Sequence, residues 1–163
     1  MIKVTLTWPE VSMGAAVGMR RHMSALSKGL KDKHGYDGDG WGPHIEGALG
    51  EMAVAKAFGV YWDGSVDTFK LPDLPGIQVR TRSKHNYDLI IRDNDSPEDT
   101  YVLVTGTAPS YRVVGWIDGQ VGMRHDLSAK HAGRPTAFFV PIKSLNSIES
   151  LRKAMTYSRS LAS

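Results

Sequence analysis

The chain has 163 residues, of which 41% are hydrophobic and 23% are charged, values that are ordinary for one folded domain. It contains no cysteine, which excludes a disulfide framework, a thiol nucleophile and a cysteine-based zinc site. No run of about 18 apolar residues is present, and the first residues lack the pattern of a secretion signal. We therefore expect one cytoplasmic domain over residues 1–163, with no membrane segment.

Charge is unevenly distributed along the chain, although the net charge is only +3. Residues 1–43 carry six basic and four acidic side chains, residues 44–104 carry six and ten, and residues 105–163 carry eight and three. An acidic centre between basic flanks suits a site that concentrates cations beside a surface that attracts a polyanion. The alternative is a set of ordinary solvated faces, which charge alone favours.

The N-terminal residues predict a strand followed by a helix. Residues 2–6 alternate between apolar and polar side chains, as in a short strand. Thr7 then fits a helix cap, with Pro9 in the first turn and Glu10 three residues after the cap. The helix is expected to run to about Lys31, because apolar positions with helical spacing continue along it: Ala15, Ala16, Met19, Met23, Leu26 and Leu30.

Basic side chains of this helix lie outside the apolar stripe. Arg20, Arg21 and Lys28 are therefore either solvated or directed at phosphates, and spacing does not choose between the two. The glycine-rich residues 32–43 that follow predict a loop.

A second helix is predicted from His44 to Phe58, with Gly59 just past its end. Its side chains are small or apolar on nearly every side, which predicts a buried helix. Gly47 and Gly50 indicate that another backbone approaches closely. Glu51 lies among these residues, and a buried carboxylate needs a hydrogen-bond partner, a cation or a raised pKa. One alternative is a salt bridge to an arginine from a neighbouring strand.

The remainder of the chain alternates between strands and loops. Residues 77–82 place Ile77, Val79 and Thr81 on one face and the polar Gln78, Arg80 and Arg82 on the other. Residues 93–99 are predicted to form an acidic hairpin loop that is solvated, with metal binding as the alternative. Further strands are predicted over 87–92, 101–105, 111–117 and 138–140, an irregular segment over 119–135, and a helix over 144–157.

A helix with a buried glutamate, a Pro-Asp turn and a strand with one polar face follow one another over residues 44–106. This order resembles the PD-(D/E)XK nuclease superfamily, which has the restriction-endonuclease-like fold. The matching residues are Glu51 in GALGEMAVAKAF, Asp73 in LPDLPG, and Gln78 and Arg80 in IQVRTR. The chain is also similar to small nuclease-like proteins of bacteriophages and prophages.

The resemblance implies an α/β (α+β) fold with a mixed central sheet flanked by helices. Residues 1–43 would be an added N-terminal strand and helix, residues 44–106 the core motif, and residues 107–163 additional strands and a C-terminal helix. Glutamine stands at position 78 where the family has an acid, and arginine stands at position 80 where it has lysine.

The chemistry expected of such a site is metal-assisted phosphodiester hydrolysis. Asp73, Gln78 and Glu51 are the candidate ligands of Mg²⁺ or Mn²⁺, with the Val79 carbonyl as a further oxygen donor. Arg80 is the candidate group for stabilising charge on the phosphate. Because an arginine stays protonated, it is a poor proton acceptor.

Several residues nearby have alternative roles. His44 lies on the same helical face as Glu51 and either contacts a site water or simply starts the helix. Asp67 is an alternative to Asp73 as the metal aspartate, and Lys84 is an alternative to the missing lysine. Arg82 is expected to contact the DNA backbone.

The sequence therefore predicts a metal-dependent DNA endonuclease in which Arg82, Lys84, Arg20 and Arg21 contact DNA. DNA is expected rather than RNA, and a homodimer is possible. The alternative is a catalytically decayed nuclease fold that binds nucleic acid or takes part in an assembly without enzymatic activity.

Overall fold

The computed structural model describes residues 1–29, 40–66, 73–74, 76–129 and 136–162. Within these residues, one strand and two helices are followed by four consecutive strands, and shorter strands and helices complete the chain. In chain order, the elements are β1 (Ile2–Thr5), α1 (Trp8–Ser27), α2 (Trp41–Phe58), β2 (Ile77–Arg82), β3 (Leu89–Arg92), β4 (Thr100–Thr107), β5 (Ser110–Asp118), α3 (Gly119–Gly122), β6 (Ser128–Ala129), β7 (Ala137–Val140), β8 (Asn146–Ser147) and α4 (Ile148–Ala162). No helix among the described residues is long and apolar enough to cross a membrane.

The strands form two sheets. The main sheet has the order β1-β5-β4-β2, with β8 paired to β5, and the smaller sheet has the order β3-β7-β6. Strands β2 and β4 are parallel, whereas β4 with β5 and β1 with β5 are antiparallel. The predicted α+β class with a mixed central sheet and flanking helices is thereby confirmed.

The main sheet has a core on each face. Helix α2 covers one face through a cluster that includes Met52, Ala53, Val79 and Val102. The smaller sheet covers the other face through a second cluster: Leu89, Ile91, Tyr101, Leu103, Ile117 and Val140. Strand β4 lies in the interior of the main sheet and contributes to both clusters, which explains its unbroken apolar sequence.

Helix α1 begins with the predicted capping box. The Thr7 side chain accepts a hydrogen bond from the Glu10 backbone N–H, and the Glu10 carboxylate accepts one from the Thr7 backbone N–H at 2.6 Å. The helix ends at Ser27, before the predicted end at Lys31, which lies outside the described residues.

The apolar stripe of α1 does not face the core. The buried face of the helix consists of Gly14, Gly18 and His22, and a Cβ atom at Gly18 would meet the backbone of Ile45. Small residues therefore let α1 approach α2 closely. The larger apolar side chains of the stripe remain on the outer side: Met19, Met23 and Leu26 are 45%, 57% and 58% exposed.

Helix α2 is buried, as predicted, although it begins at Trp41 and not at His44. It ends at Gly59, which has a left-handed backbone with φ of 63°. A Cβ atom at Gly50 would collide with the Thr81 hydroxyl, so the close neighbour there is a side chain of β2 and not the predicted backbone. At Gly47 the prediction is wrong, since nothing lies near the position of its missing Cβ.

Strand β2 has the predicted bounds, but the acidic segment 93–99 is not a hairpin loop. Strand β3 pairs with β7 in the smaller sheet, whereas β4 pairs with β2 and β5 in the main sheet. The segment is part of the crossover from β2 to β4. These two strands are parallel, so the chain has to return to the end at which β2 begins before β4 can start.

The C-terminal helix begins at Ile148, four positions after the predicted start at Ser144. Residues 142–144 form a 3₁₀ turn, and residues 146–147 pair with β5 before the helix starts. The segment predicted to be irregular over 119–135 contains the short helix α3, the 3₁₀ turn His125–Leu127 and strand β6 in its described part.

Candidate functional site

Asp73 lies just before β2 and is bonded to the free edge of that strand. Its Oδ2 atom accepts a hydrogen bond of 2.7 Å from the Val79 backbone N–H. Because β2 is the last of the described strands in the order of the main sheet, none of those strands bonds this N–H on that side. Asp73 therefore satisfies an edge donor and is held against the strand on which Gln78 and Arg80 lie.

Glu51 is 4% exposed and projects from the middle of α2. Arg21 of α1 binds it in a bidentate manner, with Nη1–Oε1 at 2.5 Å and Nη2–Oε2 at 2.9 Å. The Trp62 indole N–H donates to Oε2 at 3.1 Å, and the Arg21 Nε–H donates to the Ser65 carbonyl at 2.9 Å. The buried carboxylate thus has the cation that its burial requires.

The salt bridge to an arginine that was the alternative for Glu51 is confirmed, although the arginine lies on a different element from the one expected. The arginine comes from helix α1 and not from a neighbouring strand, because α1 and α2 approach closely through their small residues. Arg21 was also predicted to be solvated or directed at DNA phosphates. Its side chain is 18% exposed and its guanidinium points inward to Glu51, so this geometry does not support a DNA contact by Arg21.

The surroundings of Asp73 raise the pKa of its carboxyl to about 7. Burial contributes most to this rise, and the negative charge of Glu51 adds to it. The Val79 N–H and the charges of Arg80 and Arg21 act in the opposite direction. The negative charge of Glu51 therefore reaches Asp73, and burial together with this repulsion favours binding of a proton or a cation.

Gln78 and Arg80 lie on the other face of β2 from α2. The Gln78 side-chain amide donates to Asp99 Oδ2 at 3.0 Å, and Arg80 Nη2 donates to Asp95 Oδ2 at 2.7 Å. The Arg80 guanidinium also lies 5.0 Å from the centre of the Tyr101 ring. The acidic segment is thus a partner of the polar face of β2, and the prediction of a merely solvated turn is wrong.

The predicted ligand set is therefore only partly assembled. Glu51 acts electrostatically on Asp73. The Gln78 amide instead donates to Asp99 and, among the described residues, forms no hydrogen bond with either of the other two carboxylates. The Val79 carbonyl accepts a hydrogen bond from Arg80 Nη1 at 3.3 Å. Guanidinium groups thus bond to two of the oxygen donors proposed for a metal ion.

The donor chemistry nevertheless fits Mg²⁺ or Mn²⁺. Carboxylate and carbonyl oxygens are the ligands that these ions prefer, and Mg²⁺ retains several waters, so few protein ligands are needed. Asp73, Glu51 and the Val79 carbonyl are such oxygens, and a bound cation would oppose the rise in the pKa of Asp73 that burial and the charge of Glu51 cause. Across the described ranges, no group of three or more His, Cys, Asp or Glu side chains is placed to hold a metal ion, and Asp67 lies outside those ranges.

A basic and aromatic cluster lies at the end of β2. The Arg82 guanidinium carbon lies 4.8 Å from the centre of the Tyr87 ring, and the Lys84 Nζ atom lies 5.5 Å from it. Burial, together with the charge of Arg92, lowers the pKa of Arg82, while Tyr87 and Asp88 oppose this effect. An anion bound beside Arg82 would reduce the repulsion between Arg82 and Arg92.

Sequence reasoning identified Arg82 and Lys84 but missed Tyr87 and Arg92. The only sequence signal for these two residues was the strand predicted over residues 87–92. The position of that strand became known only from its pairing with β7. Arg20, another predicted DNA contact, is exposed on α1.

His44 packs near a different histidine. Its ring centre lies 5.1 Å from that of His22, which itself lies 4.4 Å from the ring of Trp41. His44 thus forms part of the packing at the start of α2. The structure gives no contact between His44 and Glu51, within the part of the chain that it describes.

Comparison with known proteins yields no relative: the chain matches no protein-family model, no curated protein and no solved structure. The resemblance to the PD-(D/E)XK superfamily therefore stays a prediction. Any function has to be argued from the chemistry of the edge of β2 and of the cluster around Tyr87.

Proposed function

We propose that this protein is a metal-dependent nuclease that hydrolyses phosphodiester bonds of DNA at the free edge of β2. The observation that carries the proposal is a carboxylate held at this edge within electrostatic range of a second, buried carboxylate. Burial of Asp73, and after it the negative charge of Glu51, raise the pKa of Asp73 to about 7. A divalent cation relieves such repulsion more effectively than a single proton does, because it neutralises both carboxylates.

Asp73 and Glu51 are the residues that would hold Mg²⁺ or Mn²⁺, with the Val79 carbonyl as a third donor. The chemistry that such an ion supplies is polarisation of a phosphoryl oxygen and a lowered pKa of bound water. The hydrogen bond from the Val79 N–H fixes the Asp73 carboxylate at the strand edge, so one ligand is already positioned.

Two arginines contribute positive charge around this site. Arg80 lies close enough to Asp73 to lower the pKa of that carboxyl. Its guanidinium is suited to bind a phosphate oxygen and to stabilise charge that develops there. Arg21 neutralises Glu51 in the absence of a metal ion, so this pair has to loosen before Glu51 can bind one.

The cluster around Tyr87 supports nucleic acid as the substrate. Arg82 follows Arg80 by two positions in β2, and alternate residues of a strand share a face. Arg82 and Lys84 therefore extend the positive charge of Arg80 along the strand, where they can contact the phosphates that flank the reacting one.

A second candidate function is non-catalytic binding of nucleic acid. The bidentate pair of Arg21 with Glu51, and the bond of Arg80 to Asp95, favour it. These contacts satisfy the charges without a metal ion, as expected of a decayed catalytic site. The cluster around Tyr87 would retain its affinity for phosphates in that case.

A cleavage assay tests the two candidates. The protein is incubated with duplex, single-stranded and branched DNA, and with RNA, in the presence of Mg²⁺, Mn²⁺ or EDTA. We expect metal-dependent cleavage that is lost in Asp73→Asn and in Glu51→Gln, and retained in Asp93→Asn, which alters an exposed aspartate. Binding without cleavage of any substrate would support the second candidate, and cleavage that persists in both site variants would refute the proposed site.

The contribution of the cluster is tested by the salt dependence of DNA binding. Arg82→Ala should lower the affinity and reduce the slope of log K against log salt concentration by about 0.7–0.9, the value for one phosphate contact. Lys153→Ala, which removes an exposed cation of α4, serves as the control and should leave the slope unchanged. An unchanged slope for Arg82→Ala would exclude a phosphate contact by Arg82.

A further inference from the structure

We infer that the outer face of α1 is a self-association surface that pairs with α1 of a second copy of this chain. The apolar side chains on this face are exposed to an unusual degree for a folded domain. They are Trp8 at 72%, Met19 at 45%, Met23 at 57% and Leu26 at 58%. The inference rests on this surface alone and does not depend on the proposed nuclease function.

The spacing of the exposed residues is that of a helix-pairing seam. Ala16, Met19, Met23 and Leu26 follow one another at intervals of three, four and three residues. This alternation matches the a and d positions of a heptad, which place apolar side chains along one line of a helix. Contact with solvent does not require apolar residues at a regular spacing, whereas contact with another helix does.

The stripe is not needed to pack the chain onto itself. Helix α1 already contacts α2 through the opposite face, where Gly14, Gly18 and His22 are buried. Burial of the stripe therefore requires a surface that this copy does not supply within the described residues. Leaving such a stripe in water forgoes the stabilisation that burial of its apolar area would give.

The exposed area is sufficient for a dimer. The exposed fractions of these four side chains correspond to about 500 Å² in each copy, toward the upper end of the largest apolar patch on a typical monomer. Two copies would thus bury about 1,000 Å², which just reaches the area that a specific interface needs.

The charge pattern favours a second copy over an acidic or basic partner. Of the charged residues in α1, Glu10 is bound within the capping box and to Lys56, and Arg21 is bound to Glu51. Arg20 is the only other charged residue of the helix. An uncharged stripe of the same spacing is therefore the surface that fits this one. A second copy of the chain, related by a two-fold axis, presents such a stripe.

Analytical ultracentrifugation of the full chain over a range of concentrations tests this inference. The wild type should reach twice the 17.9 kDa mass of the chain, and Met23→Glu should remain monomeric. Glutamate is a good helix former, so the helix itself should be preserved, as circular dichroism can verify. Val121→Glu, at an apolar residue that is 50% exposed elsewhere, is the matched control and should remain dimeric.

Cysteine cross-linking locates the interface, since the chain has no cysteine of its own. Single cysteines introduced at positions 16, 19, 23 and 26 should form disulfide-linked dimers at one position or more, whereas a cysteine at position 121 should not. A wild type that stays monomeric at every concentration would overturn the inference. So would a dimer that survives Met23→Glu, dissociates with Val121→Glu, or forms no cross-link along the stripe.

Discussion

Replacing Asp73 by asparagine should make the metal-free protein more stable at pH 8. The pKa of this carboxyl rises from its ordinary 3.8 to about 7 in the folded chain, mainly through burial and then through the charge of Glu51. Between these two values the folded state holds a proton that the unfolded state has lost, so the wild type becomes less stable as the pH rises. Above about pH 7 the destabilisation is fully present, and below pH 3.8 it is absent.

The size of the effect follows from the pKa difference. A rise in pKa from 3.8 to about 7 corresponds to about 4 kcal/mol in the free energy of unfolding. This is an upper limit because Asp73 is partly exposed to solvent. We therefore expect Asp73→Asn to gain between about 1 and 4 kcal/mol in the free energy of unfolding at pH 8. Asparagine keeps an oxygen for the hydrogen bond from the Val79 N–H, although a neutral acceptor bonds less strongly than a carboxylate.

Urea denaturation of both proteins in EDTA, at several pH values from 4 to 8, measures this difference. The stabilisation by Asp73→Asn should be near zero or negative at pH 4 and should grow as the pH rises toward 7. Asp93→Asn, at an exposed aspartate, is the control and should show no such growth. A difference that does not vary with pH, or an Asp73→Asn protein that is the less stable one at pH 8, would refute the charge argument.

The other predictions concern the contacts of α2. Arg21→Gln should lower the free energy of unfolding by about 3 kcal/mol, because it leaves Glu51 buried without its counter-ion. The double variant Arg21→Gln with Glu51→Gln should recover more than half of that loss in urea denaturation, and a double variant no better than the single one would contradict the ion-pair explanation. Gly50→Ala should cost about 1–3 kcal/mol, since its methyl group meets the Thr81 hydroxyl. Gly47→Ala, where the space is open, should be neutral or stabilising by up to about 1 kcal/mol, and equal losses at both glycines would refute the packing argument.

Local patterns predicted the elements whose signals lie within a few residues. The capping box at Thr7 and Glu10, the C-terminal Gly59 of α2 and the bounds of β2 all follow from side chains that act on their own backbone. The burial of α2 also follows from its composition, because a helix with small and apolar residues on nearly every side has no polar face for water. These features were confirmed because no distant contact is needed to specify them.

Long-range contacts decided the arrangements that sequence reasoning missed. The apolar period of α1 indicated a helix but not which side is covered, since glycines allowed α1 to pack on α2 through a face of small residues. The acidic segment 93–99 is a crossover because β3 joins a different sheet from β4, and no local signal encodes which strands pair.

The candidate site divides in the same way. The burial of Glu51 follows from the small and apolar residues that surround it on α2, and the shared face of the polar residues of β2 follows from strand periodicity. Only the tertiary structure determined that Arg21 neutralises Glu51, that Asp73 is bonded to the edge of β2, and that Asp95 and Asp99 hold the polar face. Partners of charged groups are selected by distance in space, and the folding of the chain brings together residues that are far apart in sequence.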